Sequence, residues 1–205
     1  IVILADFKTT SETKFWLKEE LERFNYDIDL RGIPDYNAKD EESNIGKIKI
    51  WFKYFKLSIT GIRRTAKNDT LLTDNFVIGA LAAFLCKIFA FKRKIIALNM
   101  IAHNKGVINK IFRKVVYDIA FKYKTFWFSV NDEQLIANYS EVFNFPKERI
   151  FILHDAVHAG DEQRDYEETD DYVFTGGDAF RDWNGFIKCA EELPAIQFVG
   201  VARNK

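Results

Sequence analysis

The sequence predicts an α/β protein built on a doubly wound parallel sheet, followed by the first β-α-β unit of a second sheet. Three observations predict this. Short apolar strand patterns alternate with longer amphipathic helix patterns over residues 1–153, the order that parallel sheets with helical crossovers require. A strand, a Gly-Gly turn and an amphipathic helix follow at 171–188, and a further strand pattern, Ile196–Gly200, comes after Leu193-Pro194. Hydrophobic residues make up 48% of the 205, with 16% aromatic, which supplies a core and excludes a disordered chain.

Ile1–Ala5 is an apolar strand, and Glu12–Phe24 a helix that turns Phe15, Trp16, Leu17 and Leu21 inward. Tyr26–Leu30 reads as the second strand, and 33–43 as a polar, acidic loop. Lys47–Lys67 is helical, with Ile48, Trp51, Phe52, Phe55, Ile59 and Ile62 at core spacing. Its cations, Lys49, Lys53, Lys56, Arg63, Arg64 and Lys67, fall on another face, with Ile50, Tyr54 and Leu57 beyond them toward solvent. Thr70–Thr73 is a strand ending in Asp74-Asn75, and Val77–Phe89 a very apolar helix. Strand Lys94–Leu98, a loop through His103 to Gly106, helix Val107–Tyr123, strand Thr125–Val130, helix Glu133–Phe143 and strand Arg149–Leu153 complete one Rossmann-like domain, 1–154. The acidic stretch 155–170 is its linker, and 171–205 starts a second Rossmann-like domain that stops after its second strand, so the chain reads as truncated there.

Several classes are excluded. No run of eighteen apolar residues suits a membrane-spanning helix. The start, Ile1 to Leu4, lacks the basic lead-in and cleavage site of a signal peptide. Cys86 and Cys189 sit in apolar helical patterns and read as buried free thiols of a cytosolic protein. Without a Cys/His cluster at ligand spacing, no metal is expected. The net charge of zero hides an asymmetry: residues 45–124 carry 17 Lys/Arg against 3 Asp/Glu, and 155–192 carry 3 against 12. The basic face of helix 47–67, bordered by apolar side chains, suits an anionic membrane surface through Lys49, Lys53, Lys56 and Arg64, or is a merely solvated or docking face. No recognition motif for nucleic acid accompanies the charge.

The segment 171–188 carries the most chemistry. The strand Tyr172–Phe174 runs into Gly176-Gly177, Arg181 follows, and a helix begins near Trp183. Glycines admit backbone N–H groups to a ligand, the helix dipole favours negative charge and Arg181 offers a forked cation, so the turn suits an anion. This segment resembles the opening of the C-terminal domain of GT-B glycosyltransferases, particularly the retaining family 4 group. The order of an α/β domain, a linker and a second α/β domain is similar as well. The resemblance implies a nucleotide-sugar donor whose diphosphate lies on Gly176, Gly177 and Arg181, and His103 as the catalytic group facing the transferred sugar. It implies transfer, with retention and without a cofactor or metal, to a hydroxyl of a glycan or lipid-linked glycan. The protein would be cytoplasmic, with peripheral contact at the inner face of the plasma membrane. His103 reads equally as a cap of the helix at Val107.

Open α/β sheets bind ligands at the carboxyl ends of their strands. Asp6, Thr9 and Thr10 after the first strand, and Asp74 and Asn75 after the third, are therefore acceptor-side candidates, as Ser129, Asn131 and Asp132 are after the fifth. Asp74 also suits the N-cap of the helix that starts near Phe76. Two other functions fit the same pattern. A sugar-nucleotide epimerase of GT-B fold would use the same phosphate site. A non-catalytic GT-B-like partner subunit would fit the glycine-free first loop, 7–11, and a Gly177 that stands where the family carries a first basic residue.

Overall fold

The computed structural model describes residues 1–10, 13–35, 44–100, 113–153, 172–176 and 183–201. Its elements, in chain order, are β1 (Val2–Leu4), α1 (Trp16–Arg23), β2 (Asp29–Arg31), α2 (Asn44–Arg64), β3 (Thr70–Thr73), α3 (Phe76–Ile88) and β4 (Lys94–Ala97). A π-helical turn, Arg113–Tyr117, leads into α4 (Asp118–Ala120), and β5 (Phe126–Val130), α5 (Glu133–Phe143) and β6 (Ile150–Ile152) follow. Six strands form one parallel sheet in the order β2-β1-β3-β4-β5-β6. The chain steps from β1 outward to β2, then returns over β1 to β3 and continues the other way. The direction therefore reverses between β1 and β3, whose register pairs Leu4 with Thr73. In such sheets the crevice beyond the carboxyl ends at that reversal is where ligands bind.

Alternation along each strand sends successive side chains to opposite faces. Val2, Leu4, Leu71, Ile95, Phe126, Phe128 and Val130 meet α2, α3, α4 and α5 in the main core. Ile3, Leu72 and Leu98 face Phe15, Trp16, Leu17 and Leu21 around α1. Phenylalanine does much of the filling. Phe76, Phe121, Phe126, Phe128 and Phe145 form one continuous ring cluster, tightest between Phe128 and Phe145 at 4.8 Å. Burying each such ring stabilises the fold by roughly 1.5–3 kcal/mol.

Helix α2 corrects the sequence reading. Ile50, Tyr54 and Leu57, expected toward solvent, are buried, while Ile48, Phe52 and Phe55, expected inside, are exposed, Phe52 by 72%. The buried stripe continues through Ser58, Gly61 and Ile62 to Thr65. A Cβ on Gly61 would lie 2.6 Å from Leu4 Cδ1, so small residues let this face approach the sheet. Cys189 is likewise exposed rather than buried; Cys86 is buried as expected.

Backbone proximity divides the chain into Ile1–Ala156 and Val157–Lys205. In the second unit β7 (Tyr172–Gly176) and β8 (Gln197–Val201) pair in parallel, joined through α6 (Trp183–Glu192), which is the expected β-α-β unit. Gly200 is required there, because a Cβ would meet the Trp183 ring at 2.8 Å. Phe186 bridges Trp183 and Phe198 with ring separations of 6.0 and 5.3 Å.

Candidate functional site

The β1–β3 and β3–β4 ladders each run one step beyond the strands. Asp74 N–H donates to the Leu4 carbonyl at 2.9 Å, and Leu98 N–H donates to the Thr73 carbonyl at 2.8 Å. This holds Asp6 and Asp74, both half-buried, side by side at the reversal point. The N-cap of α3 is Asn75 and not Asp74, a correction that leaves the Asp74 carboxylate outside the helix. Asn75 serves two elements at once. Its Oδ1 accepts from Val77 N–H at 2.8 Å, and its Nδ2 donates to Asp6 Oδ2 at 2.8 Å. The cap thereby fixes the Asp6 carboxylate in orientation. Burial, and after it the charge of Asp6, push the Asp74 carboxyl up from 3.8 to about 6. At neutral pH this leaves Asp74 a more basic carboxylate than an exposed aspartate.

Thr9 and Thr10 lie in the loop that Asp6 opens, but they face a different concavity. This groove, with a volume near 680 Å³, is lined by Thr9, Thr10, Lys18, Arg31, Lys53 and Lys56 among others. Thr10 is held by a local turn, its N–H donating to Thr13 Oγ1 at 2.7 Å. The loop and the exit of β2 pack backbone to backbone, Ile33 N–H donating to the Phe7 carbonyl at 3.0 Å. A Cβ on Gly32 would stand 2.2 Å from that oxygen, so only glycine fits. Lys18 and Arg31 were not among the sequence candidates. Arg31 was readable as strand end, but nothing in the sequence placed Lys18 of α1 opposite α2.

The four cations assigned to a membrane face have different surroundings along α2. Lys53 and Lys56 line the groove, and Lys53 donates to the Asp35 carbonyl at 2.6 Å. Arg64 lies 3.6 Å from Asp29, which also binds Arg31 at 2.6 Å. Lys49 is exposed on α2. Near the end of β5, Ser129 Oγ accepts from Asn99 N–H at 2.9 Å, and beyond it Asp132 caps α5 through Gln134 N–H at 2.6 Å, so both have structural tasks. Gly176 ends β7. His103, Gly177 and Arg181 lie outside the described residues. Among the described residues no three His, Cys, Asp or Glu side chains are grouped to hold a metal ion, and no helix is long and apolar enough to cross a membrane. Comparison with protein-family models, with curated proteins and with solved structures gives no match.

Proposed function

We propose that the chain belongs to a glycosyltransferase of the GT-B type, moving a sugar from a nucleoside diphosphate to a hydroxyl of a glycan or lipid-linked glycan. The observation that carries this reading is the carboxylate pair at the reversal point of the sheet, Asp74 beside an Asp6 that Asn75 orients. An acceptor hydroxyl needs a hydrogen-bond acceptor that aims its oxygen at the sugar, within roughly 2.6–3.2 Å. Asp74, raised to about 6, is charged at neutral pH and basic enough to take that role. Asn75 keeps Asp6 in place as the second polar contact. The donor side, Gly176, Gly177 and Arg181 for the diphosphate and His103 for the sugar, rests on the sequence resemblance, as does transfer with retention.

Titration of the chain, or of any longer protein containing it, with UDP-, GDP- and ADP-sugars tests this, together with an assay of sugar transfer. At least one donor binds. Arg181→Ala weakens that binding by at least about tenfold, the worth of a charge-assisted bond. Asp74→Asn abolishes transfer and leaves donor binding intact. No binding to any donor across the panel refutes the reading.

A further inference from the structure

The opposite edge of the first sheet, at the amino ends of the strands, has a different chemistry. Between Asp74 and Asp118 the chain contains no acidic residue and eight Lys/Arg. Helix α3 is buried along most of its length, yet the turn that joins it to β4 emerges. Ile88, Phe89 and Phe91 are 51%, 62% and 45% exposed, with the two rings 6.2 Å apart. Ala90 between them adopts the left-handed region, φ 56°, a conformation that disfavours any side chain.

The turn is held in that shape. Tyr123 Oη accepts from Arg93 N–H at 2.7 Å and lies 2.9 Å from the Phe91 carbonyl and 2.7 Å from that of Arg93. Thr125 Oγ1 donates to the same Arg93 carbonyl at 2.6 Å. Beside the turn is a concavity of about 560 Å³ whose charged lining consists of Lys67, Lys87, Lys92, Arg93, Lys94 and Lys124. All six are cations. Cys86 at its floor is chemically quiet, because burial pushes its thiol up to about 11.

We infer that the turn Ile88–Lys92 is a preformed wedge that seats this protein on an anionic lipid bilayer, its apolar tip among the acyl chains and its cations over the headgroups. Neither half of the surface is explained by the other half's partner. An acidic protein or a nucleic acid would match the cations and leave the aromatic pair in water, whereas a bilayer presents anionic headgroups above an apolar interior. One shallow apolar anchor binds membranes only marginally, and an adjoining basic patch is what makes such binding stable. A rigid turn adds to this, since no loop has to be ordered on contact. The inference stands on exposure and charge at this edge and does not depend on sugar transfer at the other.

Co-sedimentation with phosphatidylserine-rich and with pure phosphatidylcholine vesicles tests it. The unaltered chain binds the acidic vesicles at low salt at least about tenfold better than the neutral ones, and high salt weakens that binding through screening. The double variant Phe89→Ser with Phe91→Ser, and separately Lys87→Gln with Lys92→Gln and Lys124→Gln, each lose about tenfold or more. These side chains are exposed, so circular dichroism of the variants matches that of the parent. Lys49→Gln with Lys56→Gln leaves binding unchanged. A Phe89→Trp variant reads insertion directly, with fluorescence quenched by brominated acyl chains. Wild-type indifference to acidic vesicles at low salt, undiminished binding by the double serine variant, or absence of quenching at position 89 overturns the inference.

Discussion

Replacing Asp74 by Asn isolates the one strained ionisation in the crevice. The native carboxyl titrates near 6 against 3.8 for an unburied one. At about 1.36 kcal/mol per pH unit, ionising it above pH 6 opposes folding by at most roughly 3 kcal/mol. Its remaining exposure to solvent reduces this to about 1–2 kcal/mol. The sign follows from the raised value. The stabilising form is the protonated one, complete below the unfolded pKa and lost as pH rises through about 6. Asn cannot ionise and has nearly the same shape. Asp74→Asn and the parent therefore unfold alike near pH 4. The variant becomes the more stable by about 1–2 kcal/mol at pH 7.5, a rise in melting temperature of roughly 2–8 °C. Urea unfolding of the whole chain at half-unit pH intervals, followed by circular dichroism, measures this difference. A difference that does not change with pH, or a variant less stable at pH 7.5, refutes the argument that Asp74 is held ionised against its surroundings.

Two further perturbations probe the packing that holds the crevice. Thr73 Oγ1 is fully buried and has no hydrogen-bond partner among the described residues, so Thr73→Val, which keeps the shape and removes the orphan group, stabilises by about 1 kcal/mol in the same urea assay. Gly79→Ala works the other way: its Cβ would stand 2.5 Å from Ala97 Cβ and 2.6 Å from Thr73 Oγ1, so it destabilises by about 1–3 kcal/mol.

The strands were legible because each is a short apolar run closed by a polar or turn residue, and a parallel sheet leaves no freedom in which face is buried. Thr70–Thr73 and helix Glu133–Phe143 fall where the pattern put them. Helix α2 was not legible in its orientation because two stripes at helical spacing run along it. One is large and aromatic, through Ile48, Phe52 and Phe55, and the other is mixed, through Ile50, Tyr54, Leu57 and Gly61. Hydrophobic periodicity alone favours the first. The signal that distinguishes them is size, since Ser58, Gly61 and Thr65 on the second stripe permit close approach to Leu4 and Leu71. At the crevice, sequence placed Asp6, Asp74 and Asn75 at strand ends, but Asp and Asn cap helices about equally well. Which of the two adjacent residues capped α3 depended on one residue of register. The hydrogen bond from Asn75 to Asp6 spans 69 positions, and no local pattern announces it.

Helix α3 links the two edges, with the acidic pair before its first turn and Lys87 in its last. Its dipole favours both, a negative charge at the amino end and a cation at the carboxyl end, by about 0.3–1 kcal/mol each at exposed positions. At the carboxyl end Lys87 is exposed beside the wedge, where solvent screens it from the neighbouring cations. At the amino end the dipole should hold Asp74 below its ordinary value, yet burial and Asp6 carry it to about 6. Burial and the charge of Asp6 together therefore outweigh the dipole there. The charge of Asp74 is then governed by whatever else occupies the crevice. A ligand that displaces water without donating a hydrogen bond raises its pKa further, while one that offers a hydroxyl proton relieves it. Of two ligands that displace water from around Asp74, the one that donates a hydrogen bond to its carboxylate is favoured over the one that does not.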